Sequence, residues 1–335
     1  MKAAVLDEIG KAPKWEEFDA PEAGEGEALL RVLAASLKPV DRQLAAGTHY
    51  ASPREAALPV VCGTDGVGEL EDGTRVFFAG CRRPFGAMAE LTVVPRAFCF
   101  PLPPGIDNET AAALPNPGVS AWLSLTHRAK LVSGETVLVL GATGVTGQLA
   151  VQIAKLLGAA RVVGVGRNER VLARLGELGA DATIQLDQAA DALQEAYRSE
   201  MGEAGSQGLH LQALPKGGFD VLLDYLWGEP TEALLAAVTK SEFAVAGKET
   251  RLVQAGESAG ATIKLPAAVL RSTAVTILGT AGIPPREVLL DAMKQVLERG
   301  ATGELRIETE RVAMAEIESV WKHAGQAGRR TVMVP

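Results

Sequence analysis

The sequence predicts an α/β protein built from two domains, a β-rich module followed by a doubly wound parallel sheet. The chain has 335 residues, which is more than one hydrophobic core usually supports. Its first hundred residues hold short strand-like stretches between Gly and Pro residues, whereas from Glu135 onward apolar runs alternate with helical segments. Strands that alternate with helices form βαβ units, and such units place the strands in a parallel sheet.

Each part of the chain supports this division. N-terminal strands are predicted at KAAVLDEI, EALLRVLAAS, GTRVFFAG and AELTVVP, and Asn108 is placed to cap a helix after PLPPG. The parallel sheet is predicted from apolar runs such as ETVLVLG, ARVVGVG and FDVLLDYL. The tail holds two helical stretches and a closing strand, RTVMVP, and is too short to fold alone, so we expect it to return to the N-terminal module. The predicted domains are 1–118 together with 284–335, and 119–283.

The composition excludes several classes of protein. The formal net charge is −8 and the basic residues are scattered, so nucleic acid is a poor candidate partner. No apolar stretch approaches the roughly 20 residues that span a bilayer. The N-terminal MKAAVLDEIG lacks the apolar segment of a signal peptide, so we expect a cytoplasmic protein with no membrane partner. The three cysteines and four histidines lack the spacing of disulfide frameworks or metal sites, and no metal ligands are predicted.

The stretch VLVLGATGVTGQLAVQIAK, at 137–155, reads as a strand, a glycine turn and a helix. A turn between a parallel strand and a helix N-terminus presents unpaired N–H groups and the positive end of the helix dipole, which suits a phosphate. Alternatively, the glycines of such a turn could be required only for the packing of the helix on the strand. The sequence favours a dinucleotide-binding turn in which Gly144 lets the backbone approach a pyrophosphate and Gly147 lets the helix pack on the strand. The predicted cofactor-binding residues of the turn are Ala142, which replaces the first glycine of the usual GxGxxG pattern, Gly144, Val145, Thr146 and Gly147.

The next predicted strand indicates which dinucleotide is bound. It ends at Gly166, about 25 residues beyond Gly141, where the adenosine ribose is read in this kind of domain. NAD-binding domains usually carry Asp or Glu there, but this chain has Gly166 followed by Arg167. A guanidinium can bind a 2′-phosphate in a fork and glycine would leave room for it, so NADP(H) is favoured over NAD(H). Arg167 could instead be a solvated loop cation, and Asn168 could cap the next helix, touch the phosphate, or do both.

Further stretches, taken in order, resemble a known family. They are KAAVL at the N-terminus, ASLKPVDRQLAAG at 35–47, GTDGVG at 63–68, FGAMAELTVVP at 85–95, LPPGI at 102–106, AALPNPGVSAW at 112–122 and the turn at 142–147. In this order and spacing the chain resembles the medium-chain dehydrogenase/reductase superfamily, and within it the zinc-independent quinone oxidoreductases, over nearly its whole length. The resemblance implies a GroES-like catalytic domain, a Rossmann domain and a cleft between them.

The resemblance also implies a reaction without a metal. Zinc-dependent relatives carry Cys at or near the position of Lys38 and Gly-His-Glu where this chain has Gly63-Thr64-Asp65, and a catalytic zinc needs three protein ligands. Without a Lewis acid alcohol oxidation is disfavoured, which leaves reduction of a small-molecule quinone or an activated enone. The predicted function is hydride transfer from NADPH to such an acceptor. An NADPH-binding structural or sensor protein with little turnover is the alternative from another class.

Three residues of the N-terminal module are the predicted catalytic residues. In the relatives a strand ends in Asn-Pro-x-Asp beside the nicotinamide, and here the stretch is Lys38-Pro39-Val40-Asp41. Lys38 could donate a proton or hydrogen bond to the reduced carbonyl, pair with Asp41, or lie at the surface. His49 stands where the relatives have a tyrosine, with Tyr50 next to it. Either could close over the nicotinamide or line the substrate pocket, or both could serve the structure alone.

The resemblance places two more residues at the cofactor and shows one departure from the family. Ser120 matches a small hydroxyl residue near the nicotinamide, and Gly279 lies where backbone groups meet the carboxamide. Leu186 stands where relatives often stack a tyrosine near the adenosine.

VTILGT, at 275–280, is the last predicted strand of the sheet. Because an exposed sheet edge is usually covered, we expect this strand to pair with its copy in a homodimer.

Overall fold

The computed structural model describes residues 1–50, 52, 57–201, 218–239, 249–280, 282, 284–323 and 325–335. They form two compact units, Met1–Asn116 with Met293–Pro335, and Pro117–Ala292. The first unit is built mainly on antiparallel strands and the second on a parallel sheet, so the predicted fold class is confirmed. The predicted division placed 117–118 and 284–292 in the first domain, whereas in the structure these residues group with the second unit.

Strands predominate in the first hundred residues, and from Thr136 onward strands and helices alternate as the sequence predicts. The strands are β1 (Lys2–Leu6), β2 (Lys14–Glu17), β3 (Glu27–Ser36), β4 (Val60–Val61), β5 (Asp65–Glu69), β6 (Arg75–Ala79), β7 (Leu91–Pro95), β8 (Cys99–Pro101), β9 (Thr136–Leu140), β10 (Arg161–Gly166), β11 (Ala182–Gln185), β12 (Val221–Asp224), β13 (Thr250–Gln254), β14 (Val275–Gly279), β15 (Thr309–Ala313) and β16 (Arg330–Val334). The helices are α1 (Pro39–Ala45), α2 (Asn108–Ala113), α3 (Pro115–Leu123), α4 (Val145–Leu156), α5 (Glu169–Leu172), α6 (Ala190–Met201), α7 (Gly228–Val238), α8 (Ala267–Ser272), α9 (Arg286–Thr302) and α10 (Ile317–Lys322). Within the described residues, none of these helices combines the length and the apolar character needed to cross a membrane.

The first unit contains two sheets. One has the order β2-β1-β4, and the other has the order β15-β16-β3-β5-β6-β8, with β7 paired to β3. In β3 the side chains of Ala28, Leu30, Val32 and Ala34 are buried at alternate positions, because successive residues of a strand face opposite sides of the sheet. The tail joins this unit through β16, which pairs antiparallel with β3.

Helix α2 begins one residue before the place that the sequence indicated. Asp107, rather than the predicted Asn108, is the N-cap residue, and its carboxylate accepts a hydrogen bond from the Thr110 N–H at 2.8 Å. A charged acceptor suits this position because it satisfies an unpaired N–H and faces the positive end of the helix dipole. The Asn108 side-chain oxygen instead accepts a hydrogen bond from the Arg75 guanidinium at 2.8 Å.

The second unit is a parallel sheet with the strand order β11-β10-β9-β12-β13-β14. Val137, Leu138, Val139 and Leu140 of β9 are all fully buried, as expected for a central strand with helices on both faces of its sheet. The strand order reverses between β9 and β12. Ligands of such sheets bind outside the carboxyl ends of the strands at this point of reversal. The ends of β9, β10 and β12 are therefore the expected location of a binding site.

Strand β14 forms one edge of this sheet, and its residues are half-buried or exposed. Unpaired backbone groups on an apolar edge strand favour pairing with another chain. We predict that β14 pairs with its two-fold copy, so light scattering of the purified protein at micromolar concentration should give the mass of a homodimer. A monomeric mass under these conditions would contradict the prediction.

Candidate functional site

A glycine-containing turn joins the end of β9 to the start of α4. Gly141 has a φ of 86°, a conformation that glycine adopts without strain. The N–H groups of Gly141 and Ala142 donate to the carbonyl oxygen of Val165, at 2.9 and 2.8 Å respectively. These two bonds fix the turn to the neighbouring strand β10.

The first turn of α4 offers unpaired N–H groups. Gly144 is the N-cap residue, and the Gln148 N–H donates to the Gly144 carbonyl at 2.9 Å. The N–H groups of Val145, Thr146 and Gly147 come earlier and have no intrahelical acceptor. They lie at the positive end of a helix of 12 residues, so this position suits an anionic group such as a phosphate.

The two glycines of the turn have different roles. A β-carbon on Gly147 would lie 2.2 Å from the Gly141 carbonyl oxygen and 2.6 Å from the Ala142 α-carbon, closer than such atoms can approach. Gly144 is exposed, and a β-carbon there would come no closer than 3.3 Å to the same carbonyl oxygen. Gly147 therefore lets α4 pack against the turn, whereas Gly144 leaves the backbone accessible.

Arg167 and Asn168 follow the end of β10. The Arg167 guanidinium is exposed and pairs with no carboxylate among the described residues. The Arg167 carbonyl accepts a hydrogen bond from the Gln185 amide at 2.8 Å, which fixes the backbone here. Asn168 is the N-cap residue of α5, since its side-chain oxygen accepts a hydrogen bond from the Val171 N–H at 3.0 Å. Asn168 thus has the capping role, and the Arg167 cation is available to an anion.

Gly166 accommodates a neighbouring side chain. A β-carbon on Gly166 would lie 2.4 Å from Cγ2 and 2.6 Å from Oγ1 of Thr143. Gly166 therefore leaves room for the Thr143 side chain, and its contact with a phosphate stays a prediction. Sequence reasoning missed Thr143 because the pattern of the turn does not reveal which of its residues meets the end of the next strand.

A cavity of about 290 Å³ lies beside these strand ends. This volume is near the lower end of the range for small-molecule sites. Leu186 gives the cavity an aliphatic wall where the family resemblance leads one to expect a tyrosine. Among the described residues, the lining is Arg167, Leu186, Asp187, Gln188, Ala190, Leu193, Leu226, Glu229, Pro230, Ala233, Ser258 and Ala259.

Tyr225 brings an unused hydroxyl group to the same region. Its N–H donates to the Leu140 carbonyl at 3.2 Å, and a β-carbon on Gly141 would lie 3.3 Å from the Tyr225 β-carbon. The Tyr225 hydroxyl oxygen is buried without a hydrogen-bond partner among the described residues. Burial also raises the pKa of this hydroxyl. A buried hydroxyl without a partner is costly, so Tyr225 keeps an unsatisfied polar atom within the described part of the chain.

The turn after Tyr225 is held by a buried carboxylate. Asp224 accepts hydrogen bonds from the N–H groups of Leu226 and Trp227, at 2.8 and 2.9 Å, and from the Thr231 hydroxyl at 2.6 Å. Burial raises the pKa of Asp224 even though these hydrogen bonds oppose the shift. Trp227 has a φ of 56°, which residues other than glycine rarely adopt. The carboxylate therefore holds the backbone of this turn in a strained conformation.

The remaining predicted cofactor residues are more dispersed. Gly279 is the exposed last residue of β14, so it lies at the carboxyl edge of the sheet but two strands beyond β12. Ser120 is half-buried on α3, and no hydrogen bond of the described residues links its side chain to the glycine turn. Their contacts with the nicotinamide stay predictions.

Lys38 lies in the first unit and is only 2% exposed. Its Nζ is 2.8 Å from Asp65 Oδ1, 3.1 Å from the Ser36 carbonyl oxygen and 3.3 Å from Asp41 Oδ2. These three acceptors match the three N–H donors of an ammonium group. Burial alone would lower the pKa of Lys38, but the charges of Asp41 and Asp65 outweigh it and raise that pKa. Of the roles open to Lys38, the structure shows the ion pair, with no donor left over for a substrate carbonyl.

Lys38 belongs to a buried charge cluster that also contains Asp41, Asp65 and Arg330. The Thr64 hydroxyl donates to Asp41 at 3.2 Å. Arg330 is 7% exposed, and the charges of Asp41 and Asp65 oppose the lowering of its pKa by burial. Two cations and two carboxylates balance one another, which is the arrangement that buried ionic groups require.

His49 and Tyr50 form an aromatic pair beyond the end of α1. Their ring centroids lie 4.2 Å apart with an angle of 32° between the planes. His49 is half-buried, whereas Tyr50 is 96% exposed. Such a stack presents a flat surface to which another planar ring can bind. The predicted contact of these residues with a substrate is consistent with that surface and stays a prediction.

The first unit supplies poor ligands for a metal. Among the residues that the structure describes, no three His, Cys, Asp or Glu side chains lie together in a way that could hold a metal ion. Burial raises the pKa of Cys62 to about 12 and that of Cys81 to about 11, so both thiols stay protonated at neutral pH. A thiol must lose its proton to bind zinc. The carboxylates of Asp41 and Asp65 are already engaged by Lys38.

The chain is similar to known oxidoreductases. Residues 145–298 match the family described as zinc-binding dehydrogenase. The chain is 29% identical to a probable NADPH-dependent quinone reductase of Emericella nidulans, over 91% of each sequence. It is 32% identical to the chloroplastic NADPH-dependent alkenal/one oxidoreductase of Arabidopsis thaliana, over 49% of this chain and 46% of the relative. The solved quinone oxidoreductase of Thermus thermophilus, also studied as its complex with NADPH, has a TM-score of 0.78 and 28% identity over 100% of both chains.

Proposed function

Because the chain belongs to the medium-chain dehydrogenase/reductase superfamily, in its quinone oxidoreductase-like branch, we propose that it reduces quinones or α,β-unsaturated carbonyls with NADPH and without zinc. Like the relatives named above, the chain is an oxidoreductase that uses NADPH. The observation that carries the proposal is the carboxyl edge of the parallel sheet, where the glycine turn, the Arg167 guanidinium, which has no ion-pair partner within the described residues, and a cavity lie on adjoining strands.

The residues at this edge fit a dinucleotide phosphate. The N–H groups of Val145–Gly147 would hold the pyrophosphate, and Arg167 would hold the 2′-phosphate. The cavity beside Leu186 would take the adenosine, and the Tyr225 hydroxyl offers a hydrogen-bonding group without a protein partner among the described residues. When bound, NADPH supplies the hydride, and the chain supplies position and a surface that excludes water.

The choice of acceptor rests on the chemistry that the side chains leave open. A quinone or enone spreads developing charge through its own conjugation, so it needs less help than an isolated carbonyl. This favours a conjugated acceptor because Lys38 has its donors engaged by Asp65, Asp41 and the Ser36 carbonyl. The stacked rings of His49 and Tyr50 are the proposed contacts for a planar acceptor.

Zinc independence can be measured directly. Elemental analysis of the purified protein should find no stoichiometric zinc, and chelators should leave NADPH oxidation unchanged, because the described residues of the first unit offer no set of three ligands. One zinc per chain, lost together with activity on chelation, would contradict this prediction.

Cofactor choice should depend on Arg167. The parent protein is expected to bind NADPH about 10 to 100-fold more tightly than NADH, the range that a hydrogen bond to a charged group supports. Arg167→Ala should lower this ratio of affinities. Arg170→Ala, on helix α5, is the control and should change the ratio less, because Arg167 is the residue proposed to bind the 2′-phosphate. Fluorescence titration with both cofactors measures the ratio of the NADPH and NADH affinities. Equal affinities in the parent protein would contradict this prediction.

The function itself is tested by steady-state NADPH oxidation with a panel of quinones and enones. Turnover with at least one class of conjugated acceptor, and none with simple alcohols and NADP⁺, is the expected result. Tight NADPH binding without turnover on any acceptor would favour the alternative, a structural or sensor protein of the same fold.

A further inference from the structure

We propose that the Thr143 hydroxyl reads the 2′-phosphate of NADP(H) together with Arg167, an inference that rests on the proposed function for its cofactor. Thr143 is the residue between Ala142 and Gly144 in the turn after β9. The strand end that it meets is the one at which this fold reads the adenosine ribose. The proposal adds a neutral donor to a site that the sequence predicts from Gly166, Arg167 and Asn168.

The position of Thr143 is fixed by its contact with Gly166. Because a β-carbon on Gly166 would lie 2.4 Å from the Thr143 Cγ2 and 2.6 Å from its Oγ1, the threonine side chain lies directly against the Gly166 backbone. Hydrogen bonds from the N–H groups of Gly141 and Ala142 to Val165 hold the turn in this register. A β-branched side chain in such a place has few rotamers, so the hydroxyl is held at the strand end.

The Thr143 hydroxyl is available for a ligand. It makes no hydrogen bond to any of the described residues, and its side chain is half-buried and not enclosed. Arg167 follows Gly166 directly, and its guanidinium is also without an ion-pair partner in the described part of the chain. The Thr143 side chain thus contacts the residue that directly precedes Arg167, and the Arg167 carbonyl is held by the Gln185 amide at 2.8 Å.

A phosphate fits this pair better than a ribose diol does. Residues 166–168 carry no carboxylate, the group that would accept hydrogen bonds from a diol. A guanidinium and a hydroxyl are both donors to phosphate oxygens. Asp187 and Glu229 line the neighbouring cavity and bring negative charge to it. A phosphate bound beside this cavity therefore needs specific hydrogen-bond donors. Thr143 and Arg167 are such donors.

The experiment compares two ligands that differ only in the 2′-phosphate. Calorimetric titration with 2′,5′-ADP and with 5′-AMP should show the parent protein favouring 2′,5′-ADP. Thr143→Val keeps the shape of the side chain against Gly166 but removes the hydroxyl. It should weaken 2′,5′-ADP about 10 to 100-fold and leave 5′-AMP within about twofold. Thr143→Ser should keep most of the preference, and Thr183→Val, an exposed position on β11, should change neither affinity.

The outcomes separate this inference from the proposed function. If the parent does not prefer 2′,5′-ADP, the proposed choice of NADP(H) fails. If the parent prefers it and Thr143→Val binds both ligands as the parent does, or weakens both equally, Thr143 only packs against Gly166 and the inference is overturned. Thr143→Ala gives a second variant without the hydroxyl should Thr143→Val fold poorly, and thermal unfolding of each variant verifies folding.

Discussion

Replacing Lys38 by methionine is expected to lower the free energy of unfolding by about 3 to 5 kcal/mol. The reason is that Lys38 is buried with its Nζ at 2.8 Å from Asp65 and 3.3 Å from Asp41, so its removal leaves two buried carboxylates and one cation, Arg330, in the cluster. Chemical denaturation of the parent and the variant measures the difference. An effect of this size would identify Lys38 as a residue that holds the first unit together.

Two further variants make the Lys38 result specific. Lys14→Met removes an exposed ion pair, whose Nζ lies 3.4 Å from Asp7, and should cost only about 0 to 1 kcal/mol. The double variant Lys38→Met with Asp65→Asn removes one charge of each sign and should recover part of the loss. Should Lys38→Met keep the stability of the parent but lose enone turnover, the proton-donating role would return and the buried ion pair would not explain the residue.

The pH dependence follows from the direction of the Lys38 pKa. Because Asp41 and Asp65 raise this pKa in the folded protein, the contribution of the group is fully present below about pH 10, the ordinary value for lysine. It is lost as the pH rises through the higher folded pKa. The difference in stability between the parent and Lys38→Met should therefore hold from neutral pH to about pH 10 and shrink at higher pH.

The sequence indicates most of the fold because the signals are local. The glycine turn at 141–147 and the alternation of strands and helices depend on residues close together in the chain. The β-rich module is indicated by short motifs, each of which is also a local stretch of sequence. The cap of α2 differs by one residue, Asp107 for Asn108, since both residue types suit that position.

The roles of individual side chains are harder to predict because they depend on contacts between distant residues. Lys38 meets Asp65, 27 positions away, and no pattern in the chain indicates that pair. Thr143 meets Gly166, and the Tyr225 backbone pairs with Leu140. In each case the partners meet because their strands are neighbours in a sheet, and the order of the strands cannot be read from the sequence. The reason for a glycine at 166 is therefore visible only in the structure.

Gly147→Ala is expected to disrupt both the stability of the second unit and its affinity for NADPH. The added methyl group would lie 2.2 Å from the Gly141 carbonyl oxygen and 2.6 Å from the Ala142 α-carbon, and these are backbone atoms that cannot rotate away. Helix α4 or the turn must move, at a cost of about 1 to 3 kcal/mol or more. Because the same movement displaces the N–H groups of the first helical turn, NADPH affinity should fall by at least about tenfold, the change that 1.4 kcal/mol produces.

Gly176→Ala is the matched control for this prediction. Gly176 lies in the same unit, and a β-carbon there would meet no atom within 4 Å. The same chemical change is therefore expected to be neutral or to stabilise the protein by about 0.4 to 1 kcal/mol through the unfolded chain. Denaturation and fluorescence titration of both variants give the comparison. If Gly147→Ala matched Gly176→Ala in stability and in NADPH affinity, the close packing of α4 on the turn would not be what positions the phosphate-binding N–H groups.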